Sequence, residues 1–241
     1  MKKIETIVIA AAGRGTRLQD AYPDTPKHLI PVLGKPFLHY LLSIVREVGF
    51  SRVIVTIGHE SSQMRDFFSN QADDYLLVDQ GEQMNERYGT AAVVEAVAEE
   101  VGNNSFVFIN GDALMTSDVL QSVQVDDGLS HIVGLRHPEP QYYGVLSVDD
   151  DGLLKKVVEK PQEPLGNLIN IGVYSFQPDI FSAVKTLAPS PRGEYELTDA
   201  INILAAQQRV RVHEFEGDWV DLGRPEDVPL VESFLHRHNL V

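Results

Sequence analysis

The sequence has no cysteine among its 241 residues, which excludes disulfide bonds and thiolate metal ligands. It also lacks an apolar run of the roughly 18 residues that a membrane-spanning helix needs. Positive charge is scarce, because 20 lysines and arginines face 35 aspartates and glutamates, for a formal net charge of −15. We therefore expect no membrane partner and no nucleic-acid partner, since nonspecific nucleic-acid binding requires a basic face. A cytoplasmic location is the simplest expectation.

Residues 1–115 alternate between strand-like and helix-like segments. The pattern predicts strands over 4–10, 52–58, 75–80 and 106–112, and helices over 37–48, 61–70 and 89–101. Lysines before the first apolar stretch are also typical of a signal peptide, but Glu5 and Thr6 interrupt it, so we interpret it as a buried strand. Continuous Val/Ile strands between helices indicate a parallel sheet covered by helices on both faces.

Residues 116–241 follow a different pattern. We predict two strands around the Asp-rich turn at 149–151, a strand over 168–176, helices over 179–187 and 196–208, final strands within 209–223 and a helix from about 225. No Ser/Gly/Pro-rich linker divides the chain. We therefore predict one domain, 1–241, with a Rossmann-like three-layer α/β/α architecture and a mixed, mostly parallel central sheet. Its second half should surround the carboxyl ends of the first-half strands, where α/β folds bind ligands.

The first loop combines glycine with positive charge in the stretch AAAGRGTRLQDAYPDTPKHLIPVLGKP, residues 10–36. A dinucleotide fingerprint would need a small residue where Leu18 stands, and a P-loop would need Ser or Thr where Pro36 stands. Two common phosphate motifs are therefore excluded. The glycines and basic residues alone leave two interpretations open, a solvated basic loop and a phosphate-binding loop.

Several segments in a fixed order resemble the signature of the sugar-1-phosphate nucleotidylyltransferases, the enzymes that make nucleotide sugars. The glycine loop is followed by Gly-Thr-Arg, Pro-Lys and Lys-Pro before a helix. The later segments are GTA (89–91), INGD (109–112), YYGVL (142–146), VEKP (158–161), LINIGVY (168–174), GEYELTDA (193–200) and DWVDLGRPEDV (218–228). The resemblance implies a glycosyltransferase-A-like nucleotidyltransferase fold. Residues 1–115 would form a nucleotide-binding half, and residues 116–241 a sugar-phosphate-binding half with a closing helix.

The resemblance also implies the residues of the nucleotide side. Arg17 would fork onto the departing pyrophosphate, Lys27 would place a charge near the α-phosphate, and Asp112 would complete the catalytic set. The implied nucleotide-binding residues are Ala11, Ala12, Gly13, Gly15, Thr16, Gln83, Gly89 and Thr90. A glutamine before Gly-Thr-Ala suits the imide edge of uracil or thymine, and the spacing leaves Gln80 as the alternative to Gln83.

Asp112 and Asp221 are the implied ligands of one Mg²⁺ ion, because carboxylate oxygens suit this hard cation. On the sugar side, the resemblance implies that Lys160 holds the sugar phosphate. The sugar itself would be held by Glu159, Asn170 and the backbone of Gly144. Glu194 and Asp199 are weaker candidates, since either could instead cap the following helix.

The expected reaction converts a sugar 1-phosphate and a nucleoside triphosphate, with UTP or dTTP favoured, to a nucleotide sugar and pyrophosphate. The alternatives are a GTP-dependent mannose- or heptose-1-phosphate guanylyltransferase, a noncatalytic nucleotide-sugar-binding regulator and, more distantly, a dehydrogenase. The sequence leaves open the sugar, the base, the pathway and whether the chain forms a homo-oligomer. Without hexapeptide repeats, we expect no acetyltransferase activity.

Three further residues have ordinary structural interpretations. We expect Arg14 to face solvent and to matter less than Arg17, because the family tolerates many residues between the two glycines. His28 is expected at the surface, and Trp219 in packing. The acidic run at 149–151 is expected to be a solvated hairpin turn rather than a metal site.

Overall fold

A computed structural model describes residues 2–81, 87–163 and 165–241 of the protein. Its strands are β1 (Lys2–Lys3), β2 (Thr6–Ala10), β3 (Pro31–Val32), β4 (Lys35–Pro36), β5 (Arg52–Ile57), β6 (Leu76–Asp79), β7 (Phe106–Asn110), β8 (Ala113–Met115), β9 (Val125–Asp126), β10 (Ser130–Arg136), β11 (Gly144–Val148), β12 (Leu154–Glu159), β13 (Leu168–Phe176), β14 (Val210–Phe215) and β15 (Trp219–Asp221). Its α-helices are α1 (Phe37–Val48), α2 (Ser61–Ser69), α3 (Thr90–Ala96), α4 (Ala98–Val101), α5 (Ser117–Ser122), α6 (Asp179–Lys185), α7 (Leu197–Ala206) and α8 (Val228–Arg237). Short 3₁₀ turns lie at Lys27–Leu29, Pro140–Tyr142 and Pro225–Asp227.

The central sheet has nine strands in the order β12–β11–β13–β7–β2–β5–β6, with β10 and then β14 attached to β13. Strand β2 pairs in parallel with β5 and β7, β5 pairs in parallel with β6, and β10 pairs in parallel with β14. Antiparallel pairing reverses β13 relative to β7, and β12 relative to β11. The remaining strands share one direction, so the predicted mixed, mostly parallel sheet is confirmed.

Helices cover both faces of this sheet because alternate residues of its strands enter two separate cores. Ile7 and Ile9 of β2 pack into one core with α1, α2, α5 and α8. Val8 faces the opposite core, which contains α3, α4, α6 and α7. The result is the expected three-layer α/β/α architecture. Within the described residues, no helix has the length and apolar character needed to cross a bilayer.

Helix α1 illustrates how closely local sequence and structure agree in the first half. Its apolar positions, spaced by three and four residues, are buried in the core. The helix ends at Gly49, which adopts a left-handed conformation with φ 77°. The Gly49 N–H donates to the carbonyls of Val45 and Arg46, so glycine closes the helix as predicted.

Among the differences from the sequence expectations, three concern the central sheet and its helices. The helix predicted over 89–101 is two helices, α3 and α4, which meet at Val97. The strand predicted over 106–112 ends at Asn110, and the chain then turns so that β8 pairs with β15. Strand β10 was not predicted, because most of its residues are buried on both faces and show no alternation of polar and apolar positions.

These pairings bring distant parts of the chain to one edge of the sheet. The parallel strands β2, β6 and β7 end there at Ala10, Asp79 and Asn110. The β8–β15 pair adds residues from the end of the chain, since Asp221 lies opposite Ala113. Ligand sites of open α/β sheets form at such edges.

Candidate functional site

A cleft with a volume of about 230 Å³ opens at the carboxyl ends of β2, β6 and β7. Because the sequence analysis expects the nucleotide here, we call it the nucleotide cleft. Its lining consists of Ala10, Ala12, Gly13, Arg14, Gly15, Lys27, His28, Gln80, Arg87, Tyr88, Gly89, Thr90, Val93, Asn110, Asp112 and Glu194. Most residues that the sequence assigned to the nucleotide therefore share one cleft.

The glycine loop owes its shape to a close approach at Gly15. This residue has φ 58°, and a β-carbon there would lie 2.8 Å from the β-carbon of Lys27. Glycine therefore lets the loop pack against Lys27. Ala11 is buried, and its N–H donates to the carbonyl of Thr56 at 3.1 Å. Ala11 thus anchors the loop, while Thr16 is exposed; neither lines the cleft.

Lys27 and Asp112 form an ion pair through Nζ and Oδ2 inside the cleft. Burial alone would raise the pKa of Asp112, but the charge and hydrogen bond of Lys27 lower it below its ordinary value. His28 is buried beside this pair, which corrects the expected surface position. Burial and the neighbouring Lys27 charge lower the pKa of His28 to about 3, so its imidazole is neutral.

Asp221 reaches the same place from the other end of the chain. It belongs to β15, and the following residue, Leu222, donates its N–H to the carbonyl of Asp112 at 2.8 Å. Burial and the negative charges of Asp112 and Asp227 raise the pKa of Asp221 to about 6. The two predicted metal ligands therefore lie close enough to repel one another. No group of three or more metal-ligating side chains occurs in the described residues, so any cation here would rest on this carboxylate pair.

The glutamine that would read the base is Gln80 or Gln83. Gln83 lies outside the described residues. Gln80 follows β6, is 3% exposed and lines the nucleotide cleft. Its backbone N–H donates to the carbonyl of Ile57 at 2.8 Å, which fixes it to the neighbouring strand.

Gly89 and Thr90 join the two halves of the molecule. Gly89 has φ 131°, and a β-carbon there would lie 2.4 Å from the carbonyl oxygen of Tyr195. The same carbonyl accepts a hydrogen bond from Ala91 N–H at 3.0 Å. The Thr90 hydroxyl accepts the N–H of Leu197 at 3.1 Å. Both predicted nucleotide residues therefore also hold the loop before α7 against the cleft.

The two arginines of the first loop separate. Arg17 is exposed and faces a shallow hollow lined by Arg224, Pro225 and Glu226 among others, outside the nucleotide cleft. Arg14 is exposed as expected, but its guanidinium lies 5.1 Å from the ring centroid of Tyr88 and lines the cleft. This contact was not foreseen from the sequence, because residues 14 and 88 have no fixed spacing.

The predicted sugar residues come together on three neighbouring strands. Gly144 of β11 lies opposite Glu159 of β12. A β-carbon at Gly144 would lie 3.0 Å from Glu159 Oε2 and 3.6 Å from the β-carbon of Asn170 on β13. The Asn170 amide donates to the Tyr174 hydroxyl at 2.6 Å and accepts the N–H of Gly172 at 3.0 Å. These contacts fix the orientation of Asn170.

Positive charge flanks the Glu159 carboxylate. Burial raises the pKa of Glu159 above its ordinary value, while the charges of Lys160 and Arg192 oppose that rise. Lys160 adopts a left-handed conformation, φ 44°, and its N–H donates to the carbonyl of Tyr143 at 2.9 Å. Arg192 lies 2.7 Å from Glu196 and 3.9 Å from Glu159. Sequence reasoning missed Arg192, although it directly precedes the GEYELTDA segment.

Several known proteins are similar to this chain over most of its length. The sequence model of the family described as nucleotidyl transferase matches residues 6–237. A bifunctional sugar-1-phosphate nucleotidylyltransferase/acetyltransferase of Sulfurisphaera tokodaii is 34% identical over 222 residues, which cover 91% of this chain and 53% of that protein. A nucleotidyltransferase of low-salt glycan biosynthesis, Agl11 of Haloferax volcanii, is 34% identical over 229 residues, which cover 92% of this chain and 63% of that protein. The chain thus spans between about half and two thirds of the length of these relatives.

A solved structure shares the fold over almost its whole length. A UDP-glucose pyrophosphorylase in complex with UDP-glucose superimposes with a TM-score of 0.83, covering 98% of this chain and 99% of the other. The two sequences are 23% identical, so this likeness shows the fold alone.

Proposed function

The chain belongs to the nucleotidyl transferase family, and from this premise we propose that it transfers a nucleotidyl group from a nucleoside triphosphate to a sugar 1-phosphate. The observation that carries the proposal is the nucleotide cleft, where the glycine loop, the Lys27–Asp112 pair and the neighbouring Asp221 meet. This arrangement suits a reaction between two polyanions, whose main demands are positioning and charge neutralisation.

In the proposed reaction, a phosphate oxygen of the sugar 1-phosphate forms a bond to the α-phosphorus. The bond from the α-phosphorus to its bridging oxygen breaks, and pyrophosphate leaves. Gly13 and Gly15 offer their backbone N–H groups to the triphosphate. Lys27, held by Asp112, places its ammonium beside the α-phosphate. Arg17 binds the departing pyrophosphate, a role that rests on the family resemblance.

Mg²⁺ fits the carboxylate pair, because the site supplies hard oxygen donors and an excess of negative charge. Burial and mutual repulsion raise the pKa of Asp221, which indicates that a cation between Asp112 and Asp221 would relieve the repulsion. When bound, the ion would stabilise the charge that develops on the phosphate oxygens. Asp221 would hold it from β15, and Asp112 from the turn just before β8, the strand that pairs with β15.

We assign the base-reading role to Gln80 and favour UTP or dTTP. The Gln80 amide lies in the wall of the cleft and carries both a donor and an acceptor. An imide edge offers a complementary N–H and carbonyl, so Gln80 suits uracil or thymine. Exchange of Gln80 for Leu should weaken binding of UTP and dTTP alike.

The sugar 1-phosphate would occupy the strand cluster of the second half. Glu159 and Asn170 would bind sugar hydroxyls, while Gly144 leaves room for the ring because no side chain projects there. Lys160 would contact the phosphate. An ionised carboxylate only accepts hydrogen bonds, which suits Glu159 to hydroxyls rather than to phosphate.

A pyrophosphate-release assay over a matrix of nucleoside triphosphates and sugar 1-phosphates tests the proposal. We expect release with UTP or dTTP, one or a few sugar 1-phosphates and Mg²⁺. Release with GTP and a mannose or heptose phosphate would favour guanylyl transfer. Binding of nucleotide sugar without release in any combination would contradict an enzyme and favour a regulator.

A further inference from the structure

We propose that Arg14, held by the ring of Tyr88, is a triphosphate-binding residue of the nucleotide cleft. The proposal rests on the proposed function and adds to it a residue that the sequence analysis ranked below Arg17. Arg14 and Tyr88 approach the cleft from separate segments, the glycine loop and the segment before α3. The Arg14 guanidinium lies 5.1 Å from the centre of the Tyr88 ring.

The charge of Arg14 differs from that of the other cations in the cleft. Lys27 is paired with Asp112, and Arg87 Nε lies 3.0 Å from Glu95. Among the described residues, Arg14 forms no ion pair and contacts an aromatic face instead. An aromatic ring orients a cation without neutralising it. No carboxylate among the described residues therefore neutralises the charge of Arg14, which can act on a polyanionic ligand.

The contact with Tyr88 also leaves the hydrogen-bonding groups of Arg14 available. A guanidinium is planar, and its five N–H donors point outward in that plane. The cation–π contact with Tyr88 is an attraction between the charge and the ring and uses no carboxylate or carbonyl acceptor, so the donors can fork onto phosphate oxygens. Arg14 need not leave the ring in order to bind a triphosphate.

The position of Arg14 suits the triphosphate. Its neighbours Gly13 and Gly15 both line the cleft, as does Lys27 beside Gly15. The cleft also contains the carboxylates of Asp112 and Glu194, which repel phosphate. The Arg14 cation, which has no ion-pair partner in the part of the chain that the structure describes, offsets this repulsion. Arg14 would thus strengthen nucleotide binding, while Arg17 would act later on the departing pyrophosphate.

Calorimetric titration of the full chain with UTP, dTTP and GTP in the presence of Mg²⁺ tests this assignment without turnover. For Arg14→Gln we expect at least about tenfold weaker binding of the preferred nucleotide, and a shallower dependence of Kd on salt, because one charge contact is lost. The matched control is Arg46→Gln, an exposed arginine that pairs with Asp73 away from the cleft and should bind like the wild type.

Variants of Tyr88 test how the ring acts. Tyr88→Phe keeps the aromatic face and should bind normally, whereas Tyr88→Leu should weaken binding about two- to fivefold. In the Arg14→Gln background, Tyr88→Leu should have no further effect, because the ring acts through Arg14.

The outcomes separate the proposal from the proposed function. If the wild type binds a nucleotide but Arg14→Gln binds it equally well with the same salt dependence, the role of Arg14 is wrong. If Tyr88→Leu weakens binding equally in both backgrounds, the ring does not act through Arg14, and its positioning role is wrong. If the wild type binds none of the three nucleotides, the proposed function itself fails.

Discussion

The candidate site has two proposed walls, which are built in different ways. The nucleotide wall comprises the glycine loop, Lys27 and Asp112, and the sugar wall comprises Gly144, Glu159, Lys160 and Asn170. On the nucleotide wall, loops that follow parallel strands present backbone groups and cations, as at Gly15, Lys27 and Asp112. On the sugar wall, side chains project from neighbouring strands, with Glu159 on β12 and Asn170 on β13, on either side of the antiparallel strand β11. A loop places neighbouring residues in one site, whereas a sheet brings together residues far apart in sequence. The nucleotide wall can therefore be recognised from sequence motifs, whereas the sugar wall can be recognised only from the pairing of its strands.

The largest expected effect is that of removing Asp112 or Asp221, the two carboxylates proposed to hold Mg²⁺. Asp112→Ala and Asp221→Ala should each lower turnover at least about a hundredfold, because Mg²⁺ would lose a ligand and phosphate charge would go uncompensated. Pyrophosphate release over a Mg²⁺ titration measures this, with circular dichroism to verify the fold. Asp150→Ala, in the exposed hairpin turn, is the matched control. Full activity of either variant at limiting Mg²⁺ would contradict the metal assignment.

A second prediction sharpens the nucleotide wall by separating catalysis from binding. Arg17→Ala should lower kcat about 10²- to 10³-fold, because a forked cation gains most as charge builds on the leaving group. Arg17→Lys should restore little, since an ammonium cannot replace the fork. Steady-state kinetics at saturating substrates provide the measurement. A large kcat loss in Arg14→Gln with a mild Arg17→Ala would reverse the two roles.

The third prediction assigns Lys160 to the sugar wall. Lys160→Ala should raise the KM for sugar 1-phosphate about tenfold or more, because it removes a charged contact to phosphate. The KM for the nucleoside triphosphate should change little. Lys155→Ala is the control, because Lys155 is an exposed lysine on β12, the strand that ends just before Lys160. Equal weakening of both substrates would place this strand at the triphosphate and remove the distinction between the walls.

Glu159→Gln examines the same wall at its carboxylate. Since the amide adds a donor and removes the charge, discrimination among sugars that differ at one hydroxyl should change several-fold, roughly as expected for one hydrogen bond. The ratio of kcat/KM between two such sugar 1-phosphates measures it. An unchanged ratio would exclude Glu159 from sugar recognition.

The last prediction concerns stability rather than kinetics. It tests the close approach of Gly89 to the Tyr195 carbonyl. Gly89→Ala should lower the free energy of unfolding by about 1–3 kcal/mol, because φ 131° disfavours a side chain and the methyl group would meet the Tyr195 carbonyl. Chemical denaturation measures the change. Gly128→Ala is the control, since Gly128 has φ 87° but open space around it. Equal losses in both variants would mean that the contact with Tyr195 adds nothing.

Sequence patterns predicted the parallel half well, because its strands are short apolar runs between amphipathic helices. These patterns failed where a strand is buried on both faces, because polar and apolar residues then no longer alternate. Strand β10 is buried on both faces over most of its length, so SHIVGLR has no alternation to detect. The break at Val97 has no proline or glycine to mark it.

In the candidate site, too, some residues could be grouped from a sequence motif and others could not. Gly13, Gly15 and Lys27 stand in one motif, and the structure places all three in one cleft. The grouping of Gly144 with Glu159 and Asn170 came only from the resemblance, since strand register cannot be read from spacing. His28 was placed wrongly, because a histidine in a basic loop gives no sign that it is buried. The roles of all these residues remain predictions for the assays above.

The pairing of β8 with β15 has a consequence for how the protein is synthesised. Asp112 leaves the ribosome more than a hundred residues before Asp221 does. A nascent chain can thus contain the glycine loop and the Lys27–Asp112 pair while the second carboxylate is still missing. Chains released before residue 221 would keep the strands of the parallel half and lack the carboxylate pair. Under the proposed metal assignment, a chain that stops before residue 221 would therefore lack one of the two Mg²⁺ ligands.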